Sequence, residues 1–572
     1  MTSQPQPSSA TAAVLRNSWL PMTIIVLAQL QMGINVNALP VSMGPIIDDI
    51  NAPATSVATA LVLYSLFVAA FVMLGAKVGK MFGERLVFQI AVLVHGASMA
   101  LMAVSNSTET MNTAQAIAGI AAAALVPTLV VLIAANYRER QQEQALGILA
   151  SIPAVASGLT FVVAGFIATL LSWRVSFGLI TVISVVVFVI SFRLKPIPRT
   201  SGIRVDLVGV VLSALAIACI LFGFNNLNSW GIVLAKAAAP ISLFGLSPAP
   251  FLIALGIVFG QAFFVWSEKR VATKKTPLLA MEVLDSAEER AAVIIFLVAG
   301  ALGSVIAFLI PLYIQIVQGR TPLFTSVAIV PYALTVAGAA ILSVRLYDRL
   351  TPPPGSDLLS LVTVGATLLA FTVSNEWATP AVILGLMIVG VGEGTMLTLL
   401  FNVLVSASPK DLAGDVGALR GVVNNVSSAL GAAFSSVVAV GLLSVFIVSA
   451  FNISGLPPSL RYEINFDNID FVSNDQLRTV LSQTSATPAE VDEAVVLNAA
   501  ARLRALKATF LIVAIISLLT IFPSLRLPGY TPGELDVEEL IHDHPPGGAG
   551  CQHLNGKGNS GFIEWRVVND IR

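Results

Sequence analysis

Residues 57–76 read VATALVLYSLFVAAFVMLGA, a run without a single charge. A helix of that length, rising about 1.5 Å per residue, crosses the roughly 30 Å of hydrocarbon in a bilayer and pairs its backbone groups internally. The run is therefore predicted to span a membrane. The same reading carries outward along the chain, which divides into fourteen apolar stretches separated by polar loops: 21–41, 57–76, 86–104, 113–135, 145–171, 175–192, 207–224, 251–266, 291–310, 324–344, 358–373, 381–405, 422–448 and 508–521. A soluble core explains one or two such runs, not fourteen. The predicted fold class is an all-α integral membrane protein.

Composition agrees, and it removes other classes. Hydrophobic residues make up 56% of the 572 and charged residues 11%, against about a quarter charged in soluble proteins. A net charge of −1, with no basic stripe interleaved with aromatics, gives no reason to expect nucleic acid. Cys219 and Cys551 are the two cysteines, which leaves no disulfide framework or cysteine metal site to propose. The chain has no phosphate loop of the GxxxxGK[ST] type, no histidine and carboxylate cluster at metal spacing and no nucleophile elbow. No enzyme activity, cofactor or metal is expected.

Lysine and arginine fall in every second short loop: Lys77, Lys80 and Arg85; Arg138 and Arg140; Arg193, Lys195, Arg199 and Arg204; Lys269, Arg270, Lys274 and Lys275; Arg345 and Arg349; Lys410 and Arg420. Because cytoplasmic loops hold the excess of these residues, both termini are expected in the cytoplasm of a cell whose plasma (inner) membrane the chain crosses. Residues 451–505 then face outward, rich in acidic side chains. Within them Thr487-Pro488-Ala489-Glu490 has the spacing of a capping box with proline at the first helical position, so a helix is predicted to start there and run through Arg502 and Arg504. The segment otherwise reads as a solvated cap. Residues 1–17 read as a retained polar segment, and 527–572, rich in glycine and proline, as a disordered tail in which His542, His544 and His553 are solvated.

A resemblance to a known family enters at the ninth run. Pro311-Leu-Tyr313-Ile-Gln315, followed by Gly319, Thr321-Pro322-Leu323 and Pro331, resembles the "PLYLQ, G, SPL, P" signature of the drug:proton antiporter-2 family, the fourteen-span branch of the major facilitator superfamily. Asn37-Ala38-Leu39-Pro40 is similar to its "NVALP", and Ser172-Trp173-Arg174-Val-Ser-Phe177 to its "GWRWIF". The resemblance covers roughly residues 18–526. It implies a six-helix bundle at 18–195, a linker with two extra transmembrane helices at 196–285, and a second six-helix bundle at 286–526 that includes the outward loop 451–505. It further implies a midplane cavity between the bundles, exposed alternately as one rocks on the other. Gly119-Ile-Ala-Ala-Ala and Gly390-Val-Gly-Glu-Gly are a weak trace of such a repeat, with small residues where helices pack closely.

The departures from that family concern its charges. The loop Lys77-Val-Gly79-Lys80-Met-Phe-Gly83-Glu84-Arg85 aligns with "GKLGDRFGRKR", with Lys80 at the aspartate and Glu84 at an arginine. A lysine is repelled by the helix N-terminus that the family's aspartate meets, so this latch between halves must be rearranged, with Glu84 a candidate for the anionic role. Asp348 and Arg349 keep the conventional form in the second half. Gln31 stands at the family's aspartate of span one, Gln115 at the arginine of span four, and Thr160-Phe161 at the glycine-proline of span five. Glutamine keeps hydrogen bonds but cannot exchange a proton.

An ionisable residue inside an apolar span is a functional candidate, since its charge costs several kcal/mol there unless it is paired or watered. Glu393, between Gly392 and Gly394, is the one carboxylate deep in such a run. It reads either as a proton or substrate site or as a neutral acid joining two helices. His95 can titrate in a useful range but more often packs. Gln31 and Asn35 are four apart, share a helix face and are expected to line a cavity, while Gln115 and Gln315 read equally as cavity or interhelical groups. Tyr313, Phe308 and Phe401 could add aromatic surface, with packing the commoner role. The expected function is export of a small amphipathic organic solute or drug by a monomeric secondary transporter, with proton coupling through Glu393 as a hypothesis. An uncoupled or differently coupled facilitator, or a non-transporting sensor or scaffold, are the alternatives.

Overall fold

The computed structural model describes residues 18–524 except 54, 138, 196, 198, 200–204, 274, 276, 280–286, 347–354, 376–379, 408–412, 455–473 and 485. Every predicted run is a helix. The first six are α1 (Leu20–Val41), α3 (Thr55–Phe82), α4 (Glu84–Ala103), α5 (Thr108–Asn136), α6 (Glu139–Leu170) and α7 (Trp173–Ser191), with a short α2 (Met43–Ile50) after α1. The extra pair is α8 (Leu207–Asn225) and α10 (Pro248–Ala272), separated by the single turn α9 (Leu227–Trp230). The second set is α11 (Ala287–Pro311), α12 (Pro322–Leu346), α13 (Gly355–Thr372), α14 (Pro380–Ala407), α15 (Ala413–Ile453) and α17 (Pro488–Ser524), with α16 (Asn474–Leu481) before the last. Eleven of these are long and apolar enough to cross a membrane, and Gly158–Leu170, Asp357–Thr372 and Pro380–Met396 are shorter apolar segments of three more.

Packing shows that the second set repeats the first. In the first, α3 packs on α5, α5 on α4, α4 on α7, and α1 on both α6 and α7; in the second, α12 packs on α14, α14 on α13, α13 on α17, and α11 on both α15 and α17. Taken in chain order, the two lists are one list. The repeat extends to residues. Gly119 of α5 lets the backbone of Tyr64 in α3 approach, and Gly390 of α14 does the same for Tyr332 in α12; a Cβ at either glycine would collide with the facing helix. The halves meet along two seams, α3 with α15 and α6 with α12.

The extra pair leans on one of those seams, because α8 lies against both α3 and α15 as well as α10. One carboxylate ties the pair together. Asp206 caps α8 by accepting from the Gly209 N–H at 3.1 Å, accepts from Trp266 Nε1 at 3.0 Å and pairs with Arg270 at 3.5 Å. A buried acid with that many donors has its desolvation offset.

Two local features differ from the sequence reading. The capping box forms, with the Thr487 N–H donating to Glu490 at 2.7 Å and the Glu490 N–H to Thr487 Oγ1 at 3.4 Å, so α17 runs unbroken from the outer segment into the last span. The outer segment was expected to be a solvated cap, but Arg502 is fully buried and reaches the Ile316 carbonyl at 3.2 Å and the Asn474 side chain of α16. It braces the bundle. The other feature is a six-residue π turn at Leu312–Val317 directly after Pro311, where the missing proline N–H breaks the α-helical ladder. The expected segments 1–17 and 527–572 lie outside the described residues.

Candidate functional site

Glycines set the face that Glu393 presents. Gly390 and Gly394 hold α14 against Tyr332, Thr335 and Val336 of α12, and Gly392 holds it against Leu358 of α13. With those faces taken, the Glu393 side chain emerges toward α11 and α12. Its carboxylate accepts a hydrogen bond from the Tyr332 hydroxyl and lies on Gly303 of α11, where any side chain would occupy the same space. Tyr332 is buried, whereas Glu393 is only partly so. A carboxylate in a partly exposed residue, with one phenolic donor, can take up and release a proton, or accept from a ligand. The repeat gives this site no twin: with Tyr64 matching Tyr332 and Gly119 matching Gly390, the position equivalent to Glu393 is Ala122.

The polar groups of the first half are placed differently from the expectation of a cavity wall. Gln31, Asn35, Gln115 and His95 are all fully buried. Gln31 and Asn35 do share a face, but it turns into the bundle. Asn35 and Gln115 exchange two amide hydrogen bonds, Asn35 Nδ2 to Gln115 Oε1 at 2.8 Å and Gln115 Nε2 to Asn35 Oδ1 at 2.9 Å. Paired so, each meets the cost of burial with the other. Gln31 accepts from the Ser184 hydroxyl of α7 at 2.8 Å, and Ser184 in turn sits against Gly96 of α4, next to His95. Gln31 Nε2 and both ring nitrogens of His95 have no hydrogen-bond partner.

Gln315 joins the halves. Its Oε1 accepts from the Gly44 N–H at 2.7 Å, while its Nε2 donates to the Pro40 carbonyl at 3.2 Å and the Val41 carbonyl at 2.9 Å. The whole amide is thus engaged by the α1–α2 corner of the other half. The π turn that carries it is fixed by Tyr313, whose hydroxyl accepts from the Ser374 N–H and from Gln318 Nε2, both at 2.9 Å. At the same end Thr169 of α6 accepts from the Leu323 N–H at 2.9 Å, and Gly165 lets α6 meet Ser326 and Pro322 of α12. This end of the molecule, which also carries α2 and α16, is closed. Phe308 packs in the core, and the Phe401 side chain lies outside the described residues.

Residues 25–432 match the family profile of the Major Facilitator Superfamily. The chain belongs to that superfamily. It is a multi-pass membrane transporter, and its curated relatives include the puromycin resistance protein pur8 of Streptomyces alboniger, 25% identical over 77% of this chain and 86% of that one. Another is the multidrug efflux pump LfrA of Mycolicibacterium smegmatis, 24% identical over 74% and 81% of the two chains. Among solved structures, a bacterial homologue of the human lysosomal transporter Spinster, inward-facing and occupied, covers 90% of this chain and 98% of its own with a TM-score of 0.57 at 14% identity. That likeness is one of fold.

In this superfamily member the second half's side of the expected latch, at the opposite, basic end, lies outside the described residues. Lys80 is exposed; Arg85 donates to the Phe192 carbonyl at 2.7 Å and lies over its ring, within the same half. Glu84 is buried against Gly79, with neither carboxylate oxygen hydrogen-bonded. Among the described residues none of the three bonds to the second half. Asp348 and Arg349 lie outside them. The sequence reading missed Tyr332, whose one signal was the Tyr-and-Gly repeat, and it missed that Gln315 faces backbone rather than a ligand.

Proposed function

We propose that the protein exports a small amphipathic organic solute, of antibiotic or drug type, from the cytoplasm across the plasma membrane, and that Glu393 carries the coupled proton. The observation that carries this reading is the Glu393–Tyr332 pair, a carboxylate of a partly exposed residue set among α11, α12 and α14. Resistance and efflux proteins among the relatives support the substrate class. Alternating lysine- and arginine-rich loops support cytoplasmic termini, and on that orientation the closed end is the outer one. One chain supplies both halves, so the transporting unit is taken as a monomer.

Proteoliposomes with an imposed pH gradient test the coupling, using ethidium as the transported probe. The parent is expected to accumulate probe with the gradient and lose that response in Glu393→Gln, while Tyr332→Phe keeps transport and shifts its pH profile. Gradient-driven transport surviving in Glu393→Gln removes the residue from the mechanism. A second reading, a facilitator without proton coupling, is favoured by the neutral Gln31, Gln115 and Thr160-Phe161 in the first half. Equilibrative movement of probe, insensitive to the gradient in the parent itself, would select it.

A further inference from the structure

The connection from α9 to α10, residues 231–247, has Lys236 as its only charge. Its successive residues Ile232, Val233 and Leu234 are 64, 63 and 69% exposed, Ile241 is 58% exposed, and Phe244 is fully exposed. Apolar surface gathered in this way marks a contact with something apolar. The backbone around Phe244 is closely defined. Leu243 and Leu246 exchange both their hydrogen bonds, at 3.1 and 2.9 Å, and between them Phe244 and Gly245 have φ of 54° and 83°. A two-residue turn with positive φ at both positions ordinarily has asparagine, aspartate or glycine first, because a bulky side chain is strained there. Here that position holds an aromatic ring out at the tip. Below the turn the Ala235 N–H donates to the Gly245 carbonyl at 3.0 Å and the Ser247 N–H to the Val233 carbonyl at 2.9 Å. Backbone groups paired like this can approach an apolar medium at less cost.

Position and shape select lipid as that medium. Helix α8 starts at Leu207, beside the Asp206–Arg270 ion pair, and roughly 30 Å of hydrocarbon takes about 20 residues of helix, a span that ends near Asn226. The hairpin therefore emerges at the bilayer boundary. There the half-buried Trp230, a residue type favoured at that depth, packs edge-on against Phe222, which is exposed on α8. The exposed surface of the spanning helix thus continues onto the hairpin. Its shape agrees: side chains of successive residues leave the chain in different directions, so Ile232, Val233 and Leu234 do not share one face. A docked protein would cover one face of the ribbon, whereas a surrounding medium covers all of them.

We propose that residues 231–247 are a membrane anchor, lying in the headgroup and upper acyl region of the phospholipid leaflet on the side of α2. Phe244, Ile241 and the 232–234 run enter the leaflet, and Lys236 supplies a charge of the sign that lipid phosphates attract. To test it, Cys219 and Cys551 are replaced by serine, and single nitroxide labels are attached at Val233→Cys and Ile241→Cys. Phe371→Cys on α13 and Val480→Cys on α16, both at exposed positions, give the lipid and water references. The full chain is reconstituted in phosphatidylethanolamine and phosphatidylglycerol vesicles, and collisions with oxygen and with a water-soluble nickel chelate are measured by power saturation. The oxygen-to-nickel ratio at both hairpin labels is expected to match that of the lipid reference and to stand several-fold above the water reference. Adding Phe244→Asp should bring the ratio at the Ile241→Cys label down toward the water value. The same substitution should leave the α13 label unchanged, which shows the variant folded and inserted. Nickel-dominated collisions at the hairpin of the parent would place it in water and overturn the proposal. Exclusion of both reagents would mean that protein, from this chain or a second copy, covers the hairpin, and would overturn it equally.

Discussion

Asn35 and Gln115 satisfy each other, and among the described residues they bond to no third side chain. Gln115→Leu leaves a buried amide without partners, so it should cost about 1–3 kcal/mol, read as a lower thermal unfolding midpoint in detergent. Adding Asn35→Leu should recover part of that loss. An unchanged midpoint in the single variant would mean that the pair contributes no stability. At this scale the sequence was informative about identity and poor about direction. Glu393 stood out because a carboxylate in an apolar run is costly anywhere along the chain. Its partner did not, since Tyr332 is 61 positions away and a tyrosine in a span is unremarkable. Gln31 and Asn35 were rightly put on one face, yet periodicity says only that residues share a face, never which neighbour the face meets.

Among elements, the π turn is the one with mechanical meaning. It presents Gln315 to three backbone groups of the α1–α2 corner, and Arg502 of α17 bonds the carbonyl of Ile316 beside it. At about 1 kcal/mol per bond, Gln315→Leu should shift the balance toward opening of this end by about 10²-fold. Distance distributions between spin labels on α2 and α12 would report it as a longer population; an unaltered distribution would remove Gln315 as a latch. Arg502→Met should produce a smaller shift in the same direction, measured with the same labels. Helix starts were legible where chemistry is local, as at Thr487 and Glu490. The π turn and α16 were not, because one depends on what the ladder does after a proline and the other on the bundle it rests against.

Across the whole molecule, two copies of one packing pattern meet along two seams, and at the α6–α12 seam Gly165 leaves room for Ser326 and Pro322. Gly165→Leu should wedge that seam apart at the closed end. The expected outcome is a folded protein that binds substrate but does not complete a transport cycle, with the spin-label pair fixed at its longer distance. Full transport by this variant would show that the seam need not close. The run count and the family likeness made two halves and an added pair legible from the sequence. They could not say which end is shut, since that follows from contacts between residues hundreds of positions apart.

The position of α8, against α3 from one half and α15 from the other, makes the two flanks of the transporter unequal. One seam is shuttered by a helix pair that Asp206 keeps together. Among the described elements, the α6–α12 seam has no such shutter. When the halves move on each other, lipid can therefore follow the parting helices on one flank and meets α8 and α10 on the other, so the bilayer sees two unequal sides although the protein's halves are alike.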